Sequence, residues 1–137
     1  MLRNIIFLSI FIGGCQYLQT NHYDREESFE FFLERFSSDS VYQIDHVNFP
    51  LFYEYLNDLY EVESRAISKS NYMLLNFRDD HLARKREADA YEIKVLKLSK
   101  EKVTYIRSGI DNGMLIEFHF ELHNGEWYLF KIFNRST

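Results

Sequence analysis

Four segments in the last third of the chain have the residue patterns of β-strands, and they limit the possible folds more than any other feature. The clearest is Met114 to Leu122, where every second side chain is apolar. A period of two is typical of a strand with one buried face. The other predicted strands are Tyr91 to Leu98, Val103 to Ser108 and Trp127 to Phe133.

The joints between these strands contain residues that favour tight turns. Asn124-Gly125 and Asp111-Asn112-Gly113 tolerate a positive φ, and Asn-Gly is the strongest short-range signal for a hairpin. The four strands are therefore predicted to form an antiparallel meander.

An amphipathic helix is predicted near the N-terminus, from Glu26 to Ser38. Its apolar side chains fall at i, i+3, i+4 and i+7 and so form one stripe, consisting of Phe29, Phe32, Leu33 and Phe36. Because the stripe is large and mostly aromatic, the helix needs a broad partner, and the sheet is the natural one. A helix packed on a curved antiparallel sheet that ends in a four-strand meander gives the fold class α+β.

The middle of the chain carries weaker signals. The prediction for Pro50 is a strand start or an edge, because proline is rare in central strands. For Ala66 to Phe77 the pattern favours no element. The remaining predictions are a connector from Val41 to Phe49, a short strand from Leu51 to Tyr55, an acidic turn from Asn57 to Glu63, and a short polar helix from Asp79 to Ala88, capped by Asp79 or Asp80.

Residues 1–14 have the three parts of a secretory signal: a positive charge at Arg3, an apolar run, and small residues before Cys15. The run is shorter than the roughly 20 residues of a membrane-spanning helix. Ile12-Gly13-Gly14-Cys15 resembles the lipobox of bacterial lipoproteins, which implies cleavage before Cys15 and a diacylglyceryl thioether on its sulfur. The alternative is an ordinary signal or a buried strand with a chance cysteine. The predicted organisation is a signal peptide (1–14), a lipidated tether (15–24) and a single α+β domain (25–137).

A lipid on Cys15 would hold the chain at a membrane of the bacterial cell envelope. Several acyl chains, at about 0.8 kcal/mol per buried CH₂, would make this anchoring effectively permanent. Gln16 rather than aspartate follows the cysteine, and by analogy with other lipoproteins this predicts the outer membrane, facing the periplasm. Cys15 is the only cysteine, so a lipidated chain would have no disulfide, thiolate metal site or cysteine nucleophile.

Charge and aromatic content narrow the classes of partner. Without residues 1–14 the chain has 15 basic and 21 acidic side chains, a formal net charge of −6 with neutral histidines. This argues against a nucleic-acid partner, because such affinity comes mainly from neutralising phosphates. Aromatic residues make up 18% of the chain, and we expect some of them to line a surface or a cavity after the core is filled.

Two stretches carry a family resemblance. The first contains the Phe29–Phe36 helix, the Tyr42-Gln43 step and Phe49-Pro50-Leu51. The second contains Gly113 through Phe120, Gly125 through Ile132, and Ser136. Together they resemble an uncharacterised family of small lipoproteins of Bacteroidota-type gut bacteria, whose members look like the nuclear-transport-factor-2-like (cystatin-like) superfamily.

This resemblance implies a cone-shaped domain, in which the curved sheet surrounds a cavity that the N-terminal helix closes. It implies no activity, because the superfamily contains enzymes, binding modules and inert partners. The candidates to line the cavity are Tyr42, Gln43, Phe49, Tyr53, Tyr91, Phe118 and Trp127. A concave, mostly aromatic site suits a small apolar or ring-shaped ligand; the alternative is that these side chains fill the core. No cofactor is predicted.

Asp39 and His46 are the candidates for catalysis, because the resemblance implies acid–base pairs of aspartate and histidine inside the cone. The alternatives are that Asp39 ends or caps a helix and that Gln43 satisfies buried backbone groups. Strand alternation puts His119 with Glu117 on the face opposite the apolar side chains, so His119 is predicted to face solvent. His119 and His123 are four residues apart, but on a predicted strand and its turn they would diverge rather than share the face of a helix, so no metal site is predicted.

Three hypotheses about function follow. The favoured one is a non-enzymatic, membrane-anchored lipoprotein that binds a small ligand or an envelope protein, because the chain has an anchor signal and a surplus of aromatic residues without a catalytic motif. The second is an enzyme that uses Asp39 or His46 as a general base. The third is a structural homodimer formed through the open face of the sheet.

Overall fold

The computed structural model describes residues 28–78 and 80–137. Two helices, α1 (Phe29–Ser38) and α2 (Ser40–Asp45), precede a six-stranded sheet in the order β2-β1-β6-β5-β4-β3. The α+β prediction is confirmed. The strands are β1 (Val47–Leu56), β2 (Val62–Ile67), β3 (Tyr91–Lys97), β4 (Lys102–Gly109), β5 (Leu115–His123) and β6 (Glu126–Asn134).

The predicted signal peptide and tether, with Cys15, lie outside the described residues. Within the part that is described, no helix is both long and apolar enough to cross a membrane.

The amphipathic helix α1 begins at Phe29; Glu26, its predicted start, lies outside the described residues. Ser28 has an extended backbone, and its hydroxyl accepts a hydrogen bond from the Phe31 amide at 3.4 Å, which caps the helix there. Phe29, Phe32 and Phe36 are buried, whereas Phe31 is 71% exposed. The predicted apolar stripe is therefore the face that packs on the sheet.

Phe120 of β5 is the centre of the core. Its ring meets Phe29, Phe32 and Phe36 of α1 in edge-to-face geometry, with centroid distances of 5.2, 5.6 and 5.7 Å. Such aromatic pairs stabilise by about 0.5–1.5 kcal/mol each beyond the burial of their area. Phe77, from the chain between β2 and β3, approaches the same ring at 6.1 Å. These contacts hold α1 against β5. The face of the sheet that packs against α1 is called the inner face, and the opposite one the outer face.

The meander of β3 to β6 is confirmed, and each strand end lies within one residue of its predicted position. The β5–β6 turn contains Asn124 and Gly125 with φ of 51° and 85°, the left-handed pair that a tight hairpin requires. In the β4–β5 turn, Asp111 and Gly113 adopt φ of 57° and 50°. The turn residues therefore do what their sequence predicts.

One strand pair is parallel, in contrast to the all-antiparallel sheet of the prediction. β1 pairs antiparallel with β2 but parallel with β6. The β1–β2 hairpin and the β3–β6 meander are two antiparallel units that meet along this seam. Because the two strands are far apart in the sequence, no turn signal indicates how they pair.

The prediction that Pro50 starts a strand or lies on an edge was wrong. β1 begins at Val47, and it runs between β2 and β6. The register with β6 shifts between Val47 and Phe52, and pairing with β2 begins only at Leu51. Proline lacks an N–H, and such an irregularity is where a central strand tolerates it.

Three further predictions for the middle of the chain differ from the structure. The connector predicted from Val41 to Phe49 consists of most of α2 and the start of β1, and the predicted acidic turn ends at Glu61 because β2 begins at Val62. The predicted polar helix is only a 3₁₀ turn, Ala83–Lys85; Asp79 lies outside the described residues. From residue 80 to 88 only Ala83 is buried, which is too little packing for a short helix.

Candidate functional site

A cavity of about 460 Å³ lies at the β1–β2 end of the sheet. Its sheet side is formed by Leu51, Tyr53 and Ile132, and the chain after β2 contributes Tyr72 and Leu75 to the other side. We call this space the β1–β2 cavity. Its volume is within the roughly 300–1,000 Å³ of small-molecule sites.

The strand register explains which side chains reach this space. Tyr53 of β1 is the cross-strand partner of Arg65 on β2 and of Ile132 on β6. Leu51, two residues earlier on β1, is paired with Ile67 in the same way. Residues paired across strands share a face of the sheet, so three neighbouring strands present side chains to one cavity.

Gln43 fixes the wall opposite the sheet. It is only 3% exposed, and its Nε2 donates to the carbonyl oxygens of Phe36 and Leu75 at 2.8 and 2.9 Å. Its Oε1 accepts from the Leu75 amide at 2.7 Å and from the Tyr72 hydroxyl at 2.9 Å. Both donors and both acceptor positions of the amide are thus in use. Burial raises the pKa of Tyr72, so this hydroxyl stays neutral and donates.

Three of the seven predicted cavity residues belong to the cavity or its support. Tyr53 lines it directly, and its hydroxyl accepts a hydrogen bond from Asn134 Nδ2 at 3.0 Å. Phe49 packs edge-to-face against Tyr72, with the ring centroids 5.4 Å apart. Gln43 holds the backbone of the wall.

The other four lie elsewhere, and none of them is on the wall of this cavity. Phe118 and Trp127 are buried in the core, each 4% exposed, because their strand positions face α1 and the chain after β2. Tyr42 is also buried, with its ring stacked on His46 at 3.7 Å. Tyr91 is on β3, at the other edge of the sheet, where the Arg107 guanidinium lies 5.0 Å from its ring centre.

Asp39 and His46 lie at opposite ends of α2. The Asp39 carboxylate accepts hydrogen bonds from the backbone N–H groups of Val41 and Tyr42, both at 3.0 Å, and so caps the helix. The His46 Nδ1 is 2.8 Å from the Tyr42 carbonyl oxygen. Each side chain is thus engaged at its own end of the helix, and their geometry does not assemble the acid–base pair.

His119 is on the outer face of the sheet, as predicted, but it does not face solvent freely. Its side chain is 18% exposed, its Nε2 lies 3.3 Å from Glu117, and its Nδ1 lies 3.1 Å from the Thr104 hydroxyl. Burial, followed by the positive charge of Lys131, lowers the pKa of His119. In residues 28–78 and 80–137, no group of three or more His, Cys, Asp or Glu could hold a metal ion.

Most of the cavity residues that sequence reasoning missed come from β2 and the chain after it. Because β2 is exposed over most of its length, neither of its faces has to be apolar. Its sequence therefore shows no regular alternation of apolar and polar residues. Arg65 and Ile67 therefore gave no strand signal, and Asn71, Tyr72 and Leu75 belong to the segment without a predicted element. Only their pairing with β1 and Gln43 brings them to the site.

The comparisons with known proteins assign the family. Residues 14–134 match the model of the Domain of unknown function (DUF4348). The chain belongs to this family. The resemblance predicted from the Phe-rich helix and the C-terminal strands is thereby confirmed, and the family description assigns no activity. No curated protein matches the chain.

Solved structures from Bacteroides share the fold of this DUF4348 chain. An NTF2-like protein of Bacteroides fragilis has a TM-score of 0.58 at 17% identity, covering 82% of this chain and 49% of that protein, so this chain spans about half of its length. A Bacteroides uniformis protein has a TM-score of 0.58 at 20% identity, with 80% and 77% covered. A cystatin-like protein of Bacteroides caccae has a TM-score of 0.57 at 19% identity, with 79% and 76% covered. These likenesses show an NTF2-like, cystatin-like fold.

The Gln43 hydrogen bonds predict a large effect on the stability of the DUF4348 domain. We expect Gln43→Ala to lower the free energy of unfolding by about 2–4 kcal/mol, because buried backbone groups of Phe36 and Leu75 lose their partner. The matched variant Tyr72→Phe removes one hydrogen bond of the same network and should cost about 1 kcal/mol. Urea unfolding of both variants measures the difference. Equal costs would contradict the role of Gln43 as the anchor of the wall.

The lowered pKa of His119 predicts a loss of stability in acid. The unfolded chain takes up a proton near the ordinary histidine pKa of about 6.5, whereas the folded chain resists it until a lower pH. The stabilisation is therefore present above about pH 6.5 and is lost as the pH falls through the folded-state pKa. We expect His119→Gln to flatten the decrease in unfolding free energy between about pH 7.5 and pH 5.5. If His119→Gln retains the wild-type decrease, the explanation fails.

Proposed function

We propose that this chain is a lipid-anchored binding module of the cell envelope, and that its β1–β2 cavity holds a small apolar or ring-shaped ligand. The observation that carries the proposal is the cavity itself, about 460 Å³ in volume and walled mainly by apolar and aromatic side chains. Burying a ligand against such a wall stabilises the complex by about 25 cal/mol per Å² of apolar area.

The fixed geometry of the wall supports this proposal. Tyr72 and Leu75 are hydrogen-bonded to Gln43, and Leu51 and Ile132 belong to the buried core. A wall that is ordered before the ligand arrives costs little conformational entropy on binding. Tyr53 and Asn71 add polar groups at the cavity, which can orient a ligand that carries its own donor or acceptor.

The anchor part of the proposal depends on Ile12-Gly13-Gly14-Cys15. The family match begins at residue 14, so Cys15 is within it and the apolar run before it is not. Between Cys15 and the cap residue Ser28, a fully extended chain reaches at most roughly 45 Å. A lipid on Cys15 would therefore keep the cavity close to the membrane, which we propose is the outer membrane, on its periplasmic side. Apolar molecules leave water for the apolar interior of a membrane, so such ligands would be available close to the cavity.

The proposed cavity predicts that an apolar probe binds to the chain. The neutral fluorescent probe phenylnaphthylamine should bind the Cys15→Ser chain, which carries no lipid to compete with it. Ile67→Trp should weaken binding by at least about tenfold, because the larger ring fills the space that the probe needs. Ile106→Trp is the matched control: Ile106 is half-buried on the outer face of β4 and should leave probe affinity unchanged.

Equal binding by the Cys15→Ser chain with and without Ile67→Trp, both with the same thermal unfolding midpoint, would show that the probe does not use the β1–β2 cavity. Absence of probe binding to the Cys15→Ser chain with its cavity unchanged would contradict the proposed function directly.

The proposed anchor predicts that the chain carries a lipid in cells. Cells that express the wild-type chain should incorporate labelled palmitate into it and retain it in the membrane fraction. Cys15→Ser should abolish both, because serine supplies no thiolate for alkylation. His22→Ala, seven residues further along, is the control and should behave as wild type. An unlabelled wild-type chain in the soluble fraction would disprove the anchor while leaving the cavity experiment unaffected.

A further inference from the structure

Arg65, at the rim of the β1–β2 cavity, has a positive charge without an ion pair. The side chain is exposed, and its guanidinium carbon lies 4.5 Å from the centre of the Tyr53 ring. The ion pairs within residues 28–78 and 80–137 do not include Arg65. Stacking on an aromatic face fixes the plane of the guanidinium and leaves its N–H groups available at the edge.

The nearest acidic side chain on the same strand face, Glu63, is already occupied. Its Oε2 accepts a hydrogen bond from the Tyr55 hydroxyl at 2.5 Å, and its Oε1 accepts from Asn57 Nδ2 at 3.0 Å. These bonds, that of Tyr55 first, lower the pKa of Glu63, so its charge is satisfied by neutral donors. The carboxylate that could have neutralised Arg65 is thus held by other partners.

Arg65 and Tyr53 also border a second hollow of about 350 Å³, which contains Tyr55, Leu56, Asn134 and Ser136. We call it the polar hollow. The Ser136 hydroxyl oxygen accepts a hydrogen bond from the Leu115 amide at 3.0 Å, so its own proton remains available to a ligand. The β1–β2 cavity and the polar hollow meet at Arg65 and Tyr53, with mostly apolar walls on one side of the pair and mostly polar walls on the other.

We propose that the ligand is an amphiphilic monoanion, with its apolar body in the β1–β2 cavity and a carboxylate or sulfonate group on Arg65 at the polar hollow. This inference depends on the proposed function, because it specifies the ligand of the same cavity. The planar fork of arginine binds such an oxyanion through two parallel hydrogen bonds. A single negative charge fits best, because the chain is acidic overall, with a formal net charge of −5, and repels more highly charged anions.

The test compares two fluorescent probes that share an arylaminonaphthalene body. Anilinonaphthalene sulfonate carries one negative charge, whereas phenylnaphthylamine is neutral. On the full-length Cys15→Ser chain, we expect the sulfonate to bind about tenfold more tightly than the neutral probe, as one charge-assisted interaction allows. Fluorescence titration at fixed ionic strength gives both dissociation constants.

Two arginine variants locate the charge. Arg65→Met should remove the preference for the sulfonate and leave the affinity of the neutral probe unchanged within about twofold. Arg135→Met is the matched control, because Arg135 also stacks on an aromatic ring, with its guanidinium carbon 4.4 Å from the Phe133 ring centre, but pairs with Glu117 away from the cavity. This variant should keep the wild-type preference. Arg65→Lys should recover part of it, because the charge remains and the planar fork is lost.

The outcomes separate this inference from the proposed function. If both probes bind with equal affinity and Arg65→Met changes neither affinity, the proposal of an anionic ligand is overturned. Weaker binding of the neutral probe by the Ile67→Trp variant would still support the cavity. If Arg135→Met removes the preference as fully as Arg65→Met, the charge acts through the overall field and the site at Arg65 is overturned. If neither probe binds the Cys15→Ser chain, both proposals fail.

Discussion

The packing of three phenylalanines of α1 around Phe120 is the interaction on which the rest of the structure depends. It fastens the helix over β5 and β6, where Phe29 also meets the Trp127 ring edge-to-face at 5.2 Å. A helix of this length cannot cover a six-stranded sheet. The inner face of the β1–β2 hairpin is therefore left to the chain after β2, which has no long helix of its own. A cavity remains at this end because an irregular segment fills space less completely than a helix with a continuous apolar stripe.

Gln43 connects the core to that cavity. One of its hydrogen bonds reaches the C-terminal half of α1, and three others reach Tyr72 and Leu75 in the wall. A buried amide whose four positions are all satisfied specifies one arrangement of its neighbours, because any displacement leaves a polar group unpaired in an apolar environment. The wall is thus held by polar contacts to the same helices that the phenylalanines fasten to the sheet, so the position of α1 also determines the shape of the cavity.

The sequence predicted the parts of the structure that local chemistry determines. Alternation and the turn at Asn124-Gly125 were sufficient for the meander, and the apolar stripe was sufficient for α1. The parallel pairing of β1 with β6 has no local signal, and it decides which side chains of β1 face the cavity. Aromatic content likewise predicted that some rings would line a cavity but not which ones: Tyr53 does, whereas Trp127 is in the core. Arg65 escaped notice because an exposed edge strand with mixed residues resembles a loop in the sequence.

The setting of Arg65 differs from that of Lys131 and Arg135 on the outer face of the sheet, and this contrast supports a binding role for the site at Arg65. On the outer face, Lys131 pairs with Glu54 at 3.3 Å, and Arg135 lies 3.5 Å from Glu117. Those charges are compensated within the fold and need no ligand. On the inner face, Arg65 has an aromatic ring beneath it, its acidic neighbour Glu63 bonded to Tyr55, and an apolar cavity beside it. A cation in such a setting is stabilised mainly by solvent, and a bound oxyanion can replace that solvent while its apolar part leaves water at the same time.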